Sequence, residues 1–175
     1  MKASSLVIAF ILTLSITSGF AQEKSKKELK EEKKLEKQKQ VDDLMTAKTF
    51  EFVGRMAMPT GYKTVNLTST TNYVKFQPEL VDSYMPFYGR AYSGVGYGND
   101  EGLKFTGKPE EFTITKGKKN YQVNATVKGE KDTFRLSLSV GFEGGTSLTI
   151  TSNNRSAISY SGEIKAPEKK DEKNN

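Results

Sequence analysis

Hydrophobic positions recur at every second residue over most of the chain. Phe50, Phe52, Gly54, Met56 and Met58 alternate with Glu51, Val53, Arg55 and Ala57, and Pro59-Thr-Gly61 ends the run. Alternation at period two predicts a half-buried strand. The pattern returns at Val65 and Leu67, at Val74 and Phe76, at Leu103 and Phe105, and at Phe112 and Ile114. It is longest at Tyr121–Val127 and Phe134–Val140, and it closes with Leu148 and Ile150, then Ile158 and Tyr160. The last strand is expected to reach Ile164 past a bulge at Gly162. Lys116-Gly-Lys118, Lys128-Gly-Glu-Lys131, Gly141–Gly145 and Asn153-Asn154 supply the turns. About nine closely spaced strands with no helical run between them predict an antiparallel meander. Left open, such a sheet would expose an apolar face. The expected fold is therefore mainly β, a small β-barrel or a two-sheet sandwich of eight to nine strands over residues 49–165.

The preceding residues follow other rules. Lys2 and the eleven-residue apolar run Leu6–Ile16 lead to small residues at Gly19 and Ala21. This is the plan of a signal peptide over residues 1–21, cleaved before Gln22. The run falls short of the roughly 20 residues that cross a bilayer, so no transmembrane anchor is expected in the mature chain. Residues 22–48 are rich in Lys, Glu and Gln without Gly or Pro, which predicts a charged helical leader. Its apolar positions are too sparse for a coiled coil. Only its last turns, Val41, Leu44, Met45 and Lys48, are expected to dock on the strands. Residues 166–175 form a polar tail with nothing to bury, expected to be disordered.

Composition removes whole classes of chemistry. The chain has no Cys and no His. That excludes disulfides, thiolate nucleophiles, Ser-His-Asp triads and Cys- or His-ligated metals. A cysteine-free exported chain points to a bacterial periplasm or exterior. The net charge of +6 is spread along the chain, with fourteen Lys and Arg against eleven acids in residues 49–165. No segment concentrates the positive field that nucleic acid requires, so no nucleic-acid partner is expected. Nothing calls for a cofactor.

One stretch departs from alternation. Tyr84–Gly102 holds four of the eight tyrosines and a run of glycines. Gly94-Val-Gly96-Tyr-Gly98 is no phosphate loop, because Asn99-Asp-Glu101 follows in place of a helix start. The run Tyr84-Met-Pro-Phe-Tyr-Gly-Arg-Ala-Tyr, then Gly102-Leu-Lys-Phe105, resembles the hallmark of exported bacterial proteins grouped as domain of unknown function 4251. The opening Phe50-x-Phe52 strand and the closing Arg155-Ser-Ala-Ile-Ser-Tyr-Ser-Gly162 resemble that family too. The resemblance spans roughly residues 45–165, with Met85 for Leu and Phe87-Tyr88 for Tyr-Phe. It implies export and a mostly β domain, and it assigns no catalytic residue.

Two roles suit this stretch. It is either a packed loop capping the strands or a ligand-facing rim, with Tyr84, Phe87, Tyr88, Arg90, Tyr92 and Tyr97 as candidate contacts. Arg90 is expected to be held by an aromatic face and a carboxylate. The functional expectation is an exported, non-catalytic accessory protein of the cell envelope, periplasmic or secreted. It would bind a small apolar or glycan ligand, or another envelope protein. The alternatives are a structural module without a pocket, or a carboxylate glycan-processing enzyme. The latter needs two facing carboxylates, whereas most acids here sit in or beside turns.

Overall fold

The computed structural model describes residues 25–92, 102–130 and 132–167. The signal-peptide segment, Tyr97 and most of the polar tail lie outside these residues. The described part has one helix, α1 (Lys26–Ala47), and ten strands. They are β1 (Phe50–Pro59), β2 (Val65–Asn66), β3 (Tyr73–Gln77), β4 (Leu80–Met85), β5 (Leu103–Gly107), β6 (Pro109–Lys116), β7 (Asn120–Lys128), β8 (Thr133–Gly141), β9 (Gly145–Ser152) and β10 (Ile158–Lys165).

Every strand pairs antiparallel with its neighbour in the order β5-β4-β3-β1-β10-β9-β8-β7-β6, and the short β2 pairs with β1. The first and last strands are partners, so the meander returns on itself as a nearly closed barrel. The fold is thus the barrel and not the sandwich. The remaining edges, β5 and β6, are consecutive in sequence, with only Lys108 between them. Phe105 stacks on Phe134 with ring centroids 4.0 Å apart.

Alternation along the strands fills the interior. Phe50, Phe52, Phe76, Leu138, Leu148 and Tyr160 are among the fully buried side chains. Each large apolar side chain removed from water contributes about 1.5–3 kcal/mol before chain entropy is counted.

β4 was not foreseen. Its inward positions are Val81, Ser83 and Met85, all buried. A serine in the middle breaks the hydrophobic period. Its hydroxyl is satisfied by donating to the Leu103 carbonyl at 2.9 Å.

β1 departs from simple alternation. Gly54 pairs with Gly162 and Met56 with Ser161, so Arg55 is an extra residue on β1. The bulge therefore lies on β1, opposite the glycine where it was expected. One inserted residue reverses the two faces. Phe50 and Phe52 point inward before it, and Ala57 and Pro59 point inward after it. Met56 and Met58, apolar as they are, stand 42% and 38% exposed. Gly162 permits this approach, since a Cβ there would lie 2.0 Å from the Val53 carbonyl oxygen.

α1 begins with a capping box. The Ser25 amide donates to the Glu28 carboxylate at 2.8 Å, and the Glu28 amide donates to Ser25 Oγ at 3.3 Å. It ends in a Schellman motif, with Lys48 at φ 50° and the amides of Lys48 and Thr49 bonded to the carbonyls of Met45 and Leu44. Its last turns dock as expected. Val41 and Met45 are buried and Leu44 partly so, while Lys48 stays exposed. Asp42 pairs with Lys116 at 3.0 Å and accepts from the Tyr121 hydroxyl.

The outward positions divide into two walls. Across β10, β1, β3 and β4 one row reads Lys165, Glu51, Lys75, Asp82. Across β7 to β10 one row reads Asn124, Ser137, Thr149, Ser159. The next row on that wall reads Gln122, Ser139, Ser147, Ser161.

Candidate functional site

The aromatic stretch begins where β4 ends. Met85 is buried, and the Pro86 carbonyl accepts a hydrogen bond from the Tyr160 hydroxyl at 2.7 Å. Tyr160 stands on β10 with its ring wholly inside the barrel. Burial pushes its pKa well up, the nearby Tyr88 adds to this, and Arg155 opposes it. The phenol is therefore a fixed neutral donor that ties the stretch to the core.

Beyond Pro86 the chain lies against the β9–β10 connection. The Ser156 amide donates to the Arg90 carbonyl at 2.9 Å, and the Tyr92 amide donates to the Asn154 carbonyl at 2.8 Å. The Arg90 amide donates to Ser156 Oγ at 3.0 Å. Ala91 and Arg155 form an antiparallel bridge between these bonds. Gly89 is needed here, because a Cβ would come within 2.4 Å of Ser156 Oγ and 2.5 Å of the Phe87 ring. Gly102 takes φ 60°, and a Cβ there would lie 2.5 Å from the Met85 carbonyl oxygen. Residues 86–92 are thus stitched down.

The predicted contacts fall into separate groups. Phe87 is buried, with the Arg155 guanidinium 5.4 Å from its ring centroid, and Tyr88 is half-buried. Tyr84 faces outward on the charged wall, stacked on Tyr73 at 5.9 Å with Lys104 Nζ 4.6 Å from its ring centroid. Arg90 and Tyr92 point to solvent at the rim. Tyr97 lies outside the described residues. The five described residues fall on different surfaces, with Tyr84 on the charged wall and the others along the rim segment.

The arginine held by an aromatic face is Arg155, not Arg90. Arg155 also donates to the Gly102 carbonyl, which pins the far end of the connection. Arg90 is exposed, and its Nε donates to the Tyr62 hydroxyl at 3.4 Å. That bond, with the nearby Tyr62 and Tyr92 hydroxyls, pushes the Arg90 pKa further up. Sequence reasoning missed Tyr62 and Arg155. Tyr62 is a single aromatic in a turn. Arg155 follows Asn153-Asn154 as an ordinary turn charge, and only the fold brings it over Phe87.

Two kinds of surface result. Phe87, Arg155, Tyr160 and Pro86 satisfy one another, and their chemistry is spent on structure. Tyr62 and Tyr92, 53% and 69% exposed, flank Arg90 with aromatic surface open to solvent. The charged wall pairs its own ions. Glu51 is buried 3.5 Å from Lys165 Nζ, and Arg55 meets Glu163 at 2.8 Å. On Tyr73, burial and then Asp82 push the phenol pKa up. Among the described residues, no group of three or more His, Cys, Asp or Glu is placed to hold a metal.

The class defined by these features is a nearly closed antiparallel β-barrel with an N-terminal helix and a rim segment tied to the core. The family model described as a domain of unknown function, DUF4251, matches residues 32–164, and the chain belongs to that family. Among solved structures, the chain is similar to the crystal structure of a DUF4251 family protein from Bacteroides eggerthii DSM 20697. The TM-score is 0.58 at 18% sequence identity, covering 74% of this chain and 87% of that one. At that identity the likeness is one of fold. No curated protein matches the chain.

Proposed function

We propose that the protein is an exported, non-catalytic accessory module of the cell envelope. It recognises a glycan or another envelope protein through the outside of the barrel. The observation that carries this reading is the use of the interior. Inward side chains pack against one another, as Phe50 stacks on Phe76 at 4.7 Å, and the rim is bonded to Tyr160 and Ser156. A barrel that holds a small apolar ligand keeps its inward positions for that ligand. Here those positions form the core, so recognition chemistry belongs to the exposed tyrosines, the arginine and the outward polar rows. Export rests on the Lys2, Leu6–Ile16 and Ala21 pattern.

The test is recovery of the protein from its own cells. A periplasmic or extracellular fraction should contain a chain beginning at Gln22. Native mass spectrometry of that material should show the protein without a bound apolar molecule. Membrane-held protein that keeps residues 1–21, or a co-purifying lipid in molar amount, would overturn the reading.

A further inference from the structure

The outer face of β7–β10 is unusual for the wet side of a sheet. Exposed strand positions ordinarily mix in Lys, Glu and other charged groups. Both central rows here are uncharged, and the side chains are hydroxyls and amides throughout. Among the described residues, ionisable groups on these strands sit at the margins of the rows, Lys128 and Arg135 on one side and Glu163 and Lys165 on the other. Most of these side chains are short, which keeps the face level. Strand spacing sets them on a grid of about 4.8 Å by about 6.8 Å. Parts of the grid are already ordered, since Thr149 and Ser159 share a hydrogen bond of 2.9 Å and Asn120 donates to Ser139 at 2.6 Å.

The face adjoins the exposed tyrosines through the β9–β10 turn. Arg135 donates to the Asn153 side chain at 3.3 Å, and the next residue, Asn154, holds the Tyr92 amide. Thr60, two residues before Tyr62, donates to the Ala157 carbonyl at 3.1 Å. Tyr62 and Tyr92 thus stand beyond the strand ends of this face, beside the β9–β10 turn, with Arg90 between them.

We infer that the outer face of β7–β10, with Tyr62 and Tyr92 at its rim, binds a neutral polysaccharide. This rests on the outward-recognition reading above. Charge selects the ligand. A polyanion needs Lys and Arg in its path, and the two central rows hold none, with Lys128, Arg135 and Lys165 only at their margins. A protein partner needs buried apolar or aromatic anchors near the centre of the patch, whereas the centre here is Ser, Thr, Asn and Gln. Each hydroxyl or amide both donates and accepts, as does each sugar hydroxyl. Ser and Thr lose little rotamer freedom on binding, unlike Lys or Glu. Tyrosine beside Ser and Asn is the composition that recognition surfaces use for area and adaptable hydrogen bonding.

The test is affinity electrophoresis of the full chain through gels containing dextran, mannan or laminarin, with heparin as the polyanion. Retardation by at least one neutral polymer is expected, and it should persist in salt. Ser137→Lys and Ser147→Lys, both at exposed positions, should weaken it by about tenfold or more, because each leaves an ammonium without a partner in the interface. Their melting curves should match the parent. Lys75→Ser on the other wall should leave retardation unchanged. Four outcomes would overturn the inference: no retardation by any neutral polymer, retardation by heparin alone, loss on Tyr92→Ala with both lysine variants unaffected, or self-association in sedimentation that Ser137→Lys abolishes. Release of reducing ends from a polymer would instead overturn the non-catalytic reading itself.

Discussion

The two outer walls of this barrel share one interior and little else. Inside, both halves bury Phe, Leu, Ile and Val in alternation. Outside, β3 and β4 carry Lys75, Asp82 and the stacked pair Tyr73 and Tyr84, while β7–β10 carry uncharged rows. Charge on the first wall is used within it, as Glu51 beside Lys165 and Lys75 over the Tyr73 ring illustrate. On the second wall the ion pairs, such as Lys128 with Glu110 at 2.7 Å and Glu163 with Arg55 at 2.8 Å, stand at the margins, and among the described residues the two central rows hold none. Inward residues are chosen for volume and are interchangeable within limits. Outward residues are under no packing demand, so a systematic departure there records something other than folding. The β1 bulge at Arg55 marks a border, placing Glu51 and Val53 on one side of it and Met56 and Met58 on the other.

The largest expected effect comes from breaking that border. Gly162→Val would drive a side chain into the Val53 carbonyl and force β1 and β10 apart. The loss should be about 3 kcal/mol, read as a fall in denaturation midpoint. A variant as stable as the parent would mean that the bulge can move.

The two rim arginines sharpen the contrast between frame and outer surface. Arg155→Ala removes the donor to the Gly102 carbonyl and the cation over Phe87, and should cost about 1–3 kcal/mol. Arg90→Ala should stay within about 0.5 kcal/mol of the parent, because Arg90 is exposed and bonded only weakly to Tyr62. Equal losses at both positions would erase the distinction between a stitched rim and an open one.

Tyr160→Phe should cost about 1–2 kcal/mol, the penalty for leaving the Pro86 carbonyl without its donor. It also changes the response to pH. Burial raises the folded pKa of Tyr160, so above about pH 10 the unfolded chain releases this proton while the folded chain keeps it. Stability is therefore full below that pH and falls as pH rises beyond it. Urea titrations between pH 8 and 11 should show an alkaline decline that is shallower in Tyr160→Phe. Parallel declines would contradict the placement of the phenol.

Much of this architecture was legible because alternation is a direct readout of the pleat. Tyr121–Val127 and Phe134–Val140 are β7 and β8 nearly residue for residue. The failures share a cause: a backbone or polar group satisfied from a distance in sequence. Ser83 hides β4 because its partner carbonyl is twenty residues on. Arg55 reverses the face of β1 because Gly162, a hundred residues away, allows the bulge. Arg155 replaces Arg90 over the aromatic ring because strand pairing, not proximity in the chain, brings it to Phe87. The candidate site was legible as a cluster of Tyr and Arg but not as two surfaces, since position along the chain does not say which side of a rim a ring takes. The uncharged rows are printed in the sequence at every second residue of β7–β10, yet they acquire meaning only when register aligns them.

The central claim, that the two walls have different tasks, is tested most directly by mapping binding onto them. Amide chemical shifts of the isotope-labelled protein should be followed while a soluble fragment of dextran, mannan or laminarin is titrated in. The account predicts saturable changes at Asn124, Ser137, Thr149 and Ser159 and at the rim near Tyr62 and Tyr92, with Lys75, Asp82 and Tyr84 unmoved. Changes confined to the Tyr73, Tyr84 and Lys104 wall would contradict it, as would a spectrum that no neutral fragment alters.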